Sequence, residues 1–276
     1  MTTTTNKKNK LTTTEKKAAP ITALACHPAD LWQAGRQVMK KNFRDLLTVE
    51  NAKTIKGEEL GFLTGILYLA PANESGRNTC AFASAGCAAA CLFTAGRGKF
   101  DSVRLARMEK TAYLWAGIAN FIDNLEHNIY ALQRKATREK LTPCVRLNGT
   151  SDLPFENMKG NKKKSVIALF PDVQFYDYTK NPSRMKKYLR GEMPANYHLT
   201  FSRSECNHET CLEIMALGGN VAAVFEKTPA DWSGKKVISG DLHDLRFLDE
   251  SGVIVGLKAK GKAKKDLSGF TIPLNG

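Results

Sequence analysis

The stretch Val173-Gln-Phe-Tyr-Asp-Tyr-Thr-Lys-Asn-Pro-Ser-Arg-Met-Lys-Lys-Tyr-Leu-Arg-Gly-Glu-Met-Pro-Ala-Asn-Tyr-His-Leu-Thr-Phe-Ser202 reads as strand, helix, strand. Val173–Tyr178 and Tyr197–Ser202 are the strand candidates, and Ser183–Arg190 is the helix-compatible stretch between them. The same rhythm runs outward in both directions. Further candidate strands are Cys144–Asn148, Asn220–Phe225, Lys236–Ser239 and Val253–Leu257, with a helix over Cys206–Leu217 closed by Gly218-Gly219. On the amino-terminal side, the apolar run Gly65-Ile-Leu-Tyr-Leu-Ala70 reads as a buried strand. From about Ser102 to Lys140, Leu114, Trp115, Ile118, Phe121, Ile122, Leu125, Ile129 and Leu132 recur at three- and four-residue steps, as one helix or two. Strands alternating with helices imply a parallel sheet with crossover connections. Six or seven such units predict an α/β fold, a full or partial parallel (βα) barrel.

The 276 residues suffice for a single large domain. The expected organisation is a disordered basic tail over residues 1–24, one barrel-like domain over 25–266 with a cysteine loop at 78–98, and a C-terminal tail over 267–276. A first helix is expected from Pro28, with Leu31, Trp32, Val38, Met39, Phe43 and Leu46 forming its stripe. No run of eighteen apolar residues is present, so the chain is not expected to span a membrane. The amino terminus lacks the apolar segment of a secretory signal. Seven cysteines, an odd number in a chain of this size, point to reduced thiols and a cytoplasmic setting. The net charge of +14 is concentrated: residues 1–19 and 256–266 contribute +4 each, leaving +6 for the rest.

Polar residues follow the strands where barrel chemistry needs them, because the carboxyl ends of barrel strands converge on one rim. Asn148-Gly149-Thr150-Ser151-Asp152 leaves one strand with a glycine, hydroxyls and a carboxylate; as an ordinary turn it would use Asp152 as a helix cap. Asp177, Lys180, Ser202, Glu205 and Asp241 follow others, and Asp244 lies in a charged patch with His243 and Arg246. The loop after the first strand carries Cys80, Cys87 and Cys91 within twelve residues. Free cysteines also pack as small hydrophobes, but this clustering on a Gly/Ala/Ser loop is a metal-ligand spacing. Three thiolates without a local fourth suit a [4Fe–4S] cluster with one open iron. Structural zinc would need a fourth ligand from elsewhere. Cys206, His208 and Cys211 are one ligand short of a second site and suit structural roles.

Lys258, Lys260, Lys262 and Lys264 alternate with small residues. In an extended chain they share one face at about 6.6–6.8 Å spacing, a match to successive phosphates, although a solvated tail has the same composition. Nucleic acid is therefore a second candidate partner, through the basic termini.

The blocks Asn51–Gly57, Gly65–Pro71, Leu92–Gly98, Arg146–Asp152, Phe175–Lys180 and Asn196–Glu205 resemble the bacteriophage family called gene product eighty-eight, from about residue 45 to 266. A phage-encoded chain implies the host cytoplasm. The layout also resembles, remotely, the radical S-adenosylmethionine (SAM) enzymes, with a cysteine loop after the first strand of a (βα)6 partial barrel and Ser151-Asp152 after the second. That resemblance implies a [4Fe–4S] cluster on Cys80, Cys87 and Cys91 whose open iron binds SAM. It also implies reductive cleavage to a 5′-deoxyadenosyl radical and an electron donor as partner. Gly149, Ser151, Asp152 and Ser202 would contact SAM; Asp177, Lys180, Glu205, Asp241 and Asp244 are the candidate catalytic residues. The spacing here is C-x6-C-x3-C against the usual C-x3-C-x2-C, and Ala90 stands where an aromatic often does. The rival expectation is a nucleic-acid-binding protein with a structural zinc.

Overall fold

The computed structural model describes residues 45–49, 52–91, 93 and 95–273. The basic segment 1–24 and most of the helix expected from Pro28 lie outside them.

The elements run β1 (Leu47–Thr48), α1 (Ala52–Glu58), β2 (Phe62–Leu67), α2 (Ala85–Ala89), α3 (Asp101–Ala116), α4 (Ile118–Glu139), β3 (Thr142–Arg146), α5 (Val166–Leu169), β4 (Gln174–Thr179), α6 (Pro182–Leu189), β5 (Tyr197–Ser202), α7 (His208–Ala216), β6 (Val221–Phe225), β7 (Asp231–Trp232), β8 (Lys235–Ser239), β9 (Ile254–Lys258) and β10 (Thr271–Ile272). The fold is mixed α/β. Its ten-stranded sheet has the order β1-β2-β3-β4-β5-β6-β9-β8-β7, with β10 added beside β6. Strands β2 to β6, β9 and β8 pair in parallel, and β1 and β7 pair antiparallel at the two ends. Among the described residues the first and last strands of this order do not pair, so the sheet is not closed.

Local chemistry sets the helix boundaries. Helix α6 begins where Asn181 accepts from the Arg184 N–H and Pro182 occupies the first turn, where its missing N–H costs nothing. The long helical region divides into α3 and α4 at Gly117, whose extended backbone interrupts the ladder. Period-two alternation then sorts the strand residues between two faces. Leu63, Leu67, Val145, Phe175, Leu199, Phe201 and Val221 join Phe121, Ile122, Leu125 and Ile129 of α4 in the main core. Each large apolar side chain buried there contributes about 1.5–3 kcal/mol.

The other face is covered by residues 243–249. Phe247 stacks edge-on against Phe62 and Tyr176 at 5.2 and 5.4 Å, and Asp244 pairs with Arg146 of β3 at 2.7 Å. Burial alone would lower the Arg146 pKa; the Asp244 carboxylate overrides it and raises it.

The expected alternation fails after β6, where β7 and β8 form a hairpin in place of a crossover helix. Residues Thr271–Ile272, assigned on sequence to a tail, pair in parallel with Val224–Phe225, beside the second half of β6 that β5 does not reach.

Candidate functional site

A cavity of about 210 Å³ opens at the carboxyl ends of the parallel strands. The cysteine loop walls one side, Gly149–Asp152 and Tyr178–Lys180 the next, and the segment after β9 the far side. Cys80, Cys87, Cys91, Gly149, Ser151, Asp152, Lys180, Ser202, Asp241, Lys258 and Lys260 all line it. Eleven residues singled out on sequence, drawn from segments almost two hundred residues apart, thus face one space.

Cys80 follows a turn in which Thr79 anchors to the Ala70 carbonyl at 2.7 Å. Cys87 lies on α2, whose first turn is capped by Ser84: its hydroxyl accepts from the Cys87 N–H. Burial pushes all three thiols above the usual range, Cys91 to about 11. Weaker influences favour the thiolate. The Ala72 N–H donates to the Cys80 sulfur at 3.5 Å, the Phe93 amide donates to Cys91, and the Lys180 ammonium hydrogen-bonds Cys87. Lys180 Nζ also donates to Ser202 Oγ and to the Arg203 carbonyl, and sits 5.5 Å from the centre of the Phe270 ring.

Asp152 is already committed. Its Oδ1 accepts from Arg184 Nη1 at 2.9 Å and its Oδ2 from the Lys180 N–H at 2.8 Å. Arg184 is buried and also forks onto Glu156 at 2.8 Å through two nitrogens. Asp152 therefore fixes the Lys180 backbone instead of offering a free carboxylate. Gly149 is required by packing: a Cβ there would lie 2.7 Å from the Tyr68 ring. Ser151 donates to Asn148 Oδ1 at 2.8 Å.

Three of the candidate catalytic residues do not reach the cavity. Asp177 alternates with Tyr176 and Tyr178, so it points to the helix side. There it accepts from the Asn148 N–H at 2.7 Å, from Asn148 Nδ2 at 3.1 Å and from the Tyr197 hydroxyl at 2.8 Å. Burial raises its pKa to about 6, against the pull of Arg184 and Arg146. Asp244 is buried under the sheet with Arg146. Glu205 instead holds the cysteine helix, accepting from Ser84 Oγ and the Gly86 N–H, both at 2.7 Å.

The lysine ladder does not form. Strand β9 ends at Lys258, Gly261 turns the chain with φ +57, and Gly261–Lys265 is a 3-10 turn. Lys260 pairs with Asp241. Cys206, His208 and Cys211 do not converge either: His208 packs edge-on against Trp232 at 5.2 Å, and the Cys211 thiol, fully buried, faces Asn207.

Sequence reasoning missed the strap that closes the cavity. Ala259, Ala263 and Phe270 pack on Ala90 of the cysteine loop. Arg203 clamps the strap by donating to the Gly269 and Phe270 carbonyls. Arg203 directly follows Ser202 in a block already singled out, and a cation at a strand's carboxyl end was its signal.

Among the described residues no group of three His, Cys, Asp or Glu side chains is placed to hold a metal ion. Cys80, Cys87 and Cys91 nonetheless line one cavity, within electrostatic reach of one another.

No helix of the described residues is long and apolar enough to cross a membrane. Neither the curated proteins nor the solved structures contain a match to the chain. The sequence model of the family described as gene product 88 matches residues 45–272, through β10 and the whole wall of the cavity. The chain belongs to the gene product 88 family.

Proposed function

We propose that the chain is an iron–sulfur, radical-SAM-like enzyme working at the carboxyl rim of a partial barrel. Cys80, Cys87 and Cys91 would hold a [4Fe–4S] cluster, and Gly149, Ser151, Lys180 and Ser202 would surround SAM. When bound, the cluster supplies the electron that cleaves SAM and so starts hydrogen abstraction from a substrate. The chain's own residues bind, orient and exclude water. Lys180, held by Ser202 and by the Asp152 contact to its backbone, offers a fixed positive charge to a carboxylate. Ala83, Ala90, Val224, Leu257 and Phe270 supply apolar walls.

One observation carries this reading: three thiols with no local fourth share a cavity with the strand-end loop 149–152. The experiment measures iron and sulfide after anaerobic reconstitution, then 5′-deoxyadenosine after reduction in the presence of SAM. Wild type should hold about four irons and release the nucleoside, while Cys87→Ala should lose the iron. Stoichiometric zinc in the wild type, or unchanged iron in the variant, overturns the assignment.

A further inference from the structure

Two basic turns distant in sequence meet beside the cavity. Gly96–Lys99 and Gly261–Lys265 are both short 3-10 turns. A Cβ on Gly261 would lie 2.9 Å from Ala95 Cβ, so the two backbones touch, and the positive φ of Gly261 makes that approach possible. Gly98 and Ala263 turn inward; Arg97, Lys99, Lys262, Lys264 and Lys265 turn out to solvent. Among the described residues none of these five cations has a carboxylate within ion-pair distance. The flanking acids are few. Asp101 is exposed, and Asp266 spends its oxygens on Ser268 and Thr271.

The surface also carries a ring. Phe100 directly follows Lys99 and is 53% exposed. Unneutralised cations beside an exposed aromatic are what a single strand needs: phosphates displace counterions from the cations, and an unpaired base stacks on the ring. An acidic peptide would use the charges but leave the ring wet. Ala263 of the second turn is also part of the cavity wall, so the surface adjoins the mouth.

We propose that these two turns and Phe100 form a binding surface for single-stranded nucleic acid, running along the mouth of the cavity. The surface is built without the cysteines, so it goes beyond the cluster reading and does not depend on it.

The test is fluorescence anisotropy of the full chain with a short labelled oligothymidylate and with a duplex, over a range of salt. The single strand should bind more tightly than the duplex. At about 0.7 per phosphate on single strands, Lys262→Ala/Lys264→Ala/Lys265→Ala should lower the slope of log K against log salt by about two. Arg97→Ala/Lys99→Ala should lower it by about 1.4, and replacing the three lysines by arginine should leave it intact. Phe100→Ala should weaken single-strand binding roughly five- to 150-fold at an unchanged slope. No binding at low salt, unchanged slopes in the alanine variants, a silent Phe100→Ala, or equal competition by polyglutamate each overturns the proposal. Iron content in the same preparations is read separately, so loss of either property leaves the other measurable.

Discussion

The carboxylate of Glu205 accepts a 2.7 Å hydrogen bond from the Gly86 N–H, so the chain just past β5 grips the helix that carries Cys87. The fit is tight, because a Cβ on Gly86 would lie 2.2 Å from Ser268 Oγ and 2.8 Å from Glu205 Cδ. Gly86→Ala should therefore cost about 1–3 kcal/mol in urea unfolding. It should also speed maleimide labelling of Cys87. Glu205→Gln should cost about 1 kcal/mol, with a smaller rise in labelling. Labelling at the wild-type rate in both variants would show that the contact does not hold the cysteine helix.

Arg184 is the keystone of the adjacent loop, since one buried guanidinium satisfies Asp152, Glu156 and the Tyr197 hydroxyl. Arg184→Met leaves two carboxylates in a dry environment, and breaking a buried pair in this way costs about 3–5 kcal/mol. Chemical denaturation should show that loss. A loss below about 1 kcal/mol would place the network in solvent, as for surface ion pairs.

The strands from β3 to β6 were legible because each is a short buried run bounded by clear breaks. The hairpin β7–β8 was not seen, yet its signal is present: Ser233-Gly234 sits between Trp232 and Lys235, with φ +51 and +70. Two successive positive φ values are the mark of a two-residue hairpin turn. Strand β10 is two residues long and pairs only because β5 stops short, a tertiary circumstance with no local pattern.

In the site, strand-end positions were legible and side-chain directions were not. Lys180 and Ser202 lie where the parallel strands end, and both reach the cavity. Asp177 is three residues earlier on β4, and one step of alternation sends it to the other face. The lysine ladder assumed an extended chain that Gly261 ends. Glu205, singled out as a candidate catalytic residue, instead bonds Ser84 and Gly86, partners more than a hundred positions away that no local pattern reveals.

Asp177 gives a signed pH dependence. Burial raises its folded pKa to about 6, whereas an unfolded aspartate titrates near 3.9. Between those values the folded chain binds more protons than the unfolded one. The contribution of Asp177 to stability is thus fully present below about pH 4, falls as pH rises towards 6, and is level above. The span is about 2–3 kcal/mol at most. Urea unfolding of wild type and Asp177→Asn at several pH values should show the wild type losing ground to the variant across this window. A gap independent of pH would mean that the Asn148 and Tyr197 donors keep the carboxylate ionised throughout.

The strap over the cavity rests on two independent supports, and separating them tests whether it acts as a lid. Arg203 holds its backbone through the Gly269 and Phe270 carbonyls; Phe270 holds it by packing on Ala90, Ala259 and Ala263. Arg203→Ala returns exposed carbonyls to water, so the global cost should be small, about 1 kcal/mol. Local opening should rise, because the β10 pairing extends directly from that clamp. Phe270→Ala removes a buried ring from a small cluster, at about 3 kcal/mol, the lower end for such truncations. It also takes away the aromatic face beside the Lys180 ammonium. Hydrogen exchange followed by mass spectrometry should show faster exchange in the peptide spanning 266–273 in both variants. In Arg203→Ala the strands β3 to β5 should keep wild-type protection. If that peptide exchanges at the wild-type rate in Arg203→Ala, packing alone holds the strap; if the whole sheet loses protection with it, the strap is part of the global core and not a separately opening lid.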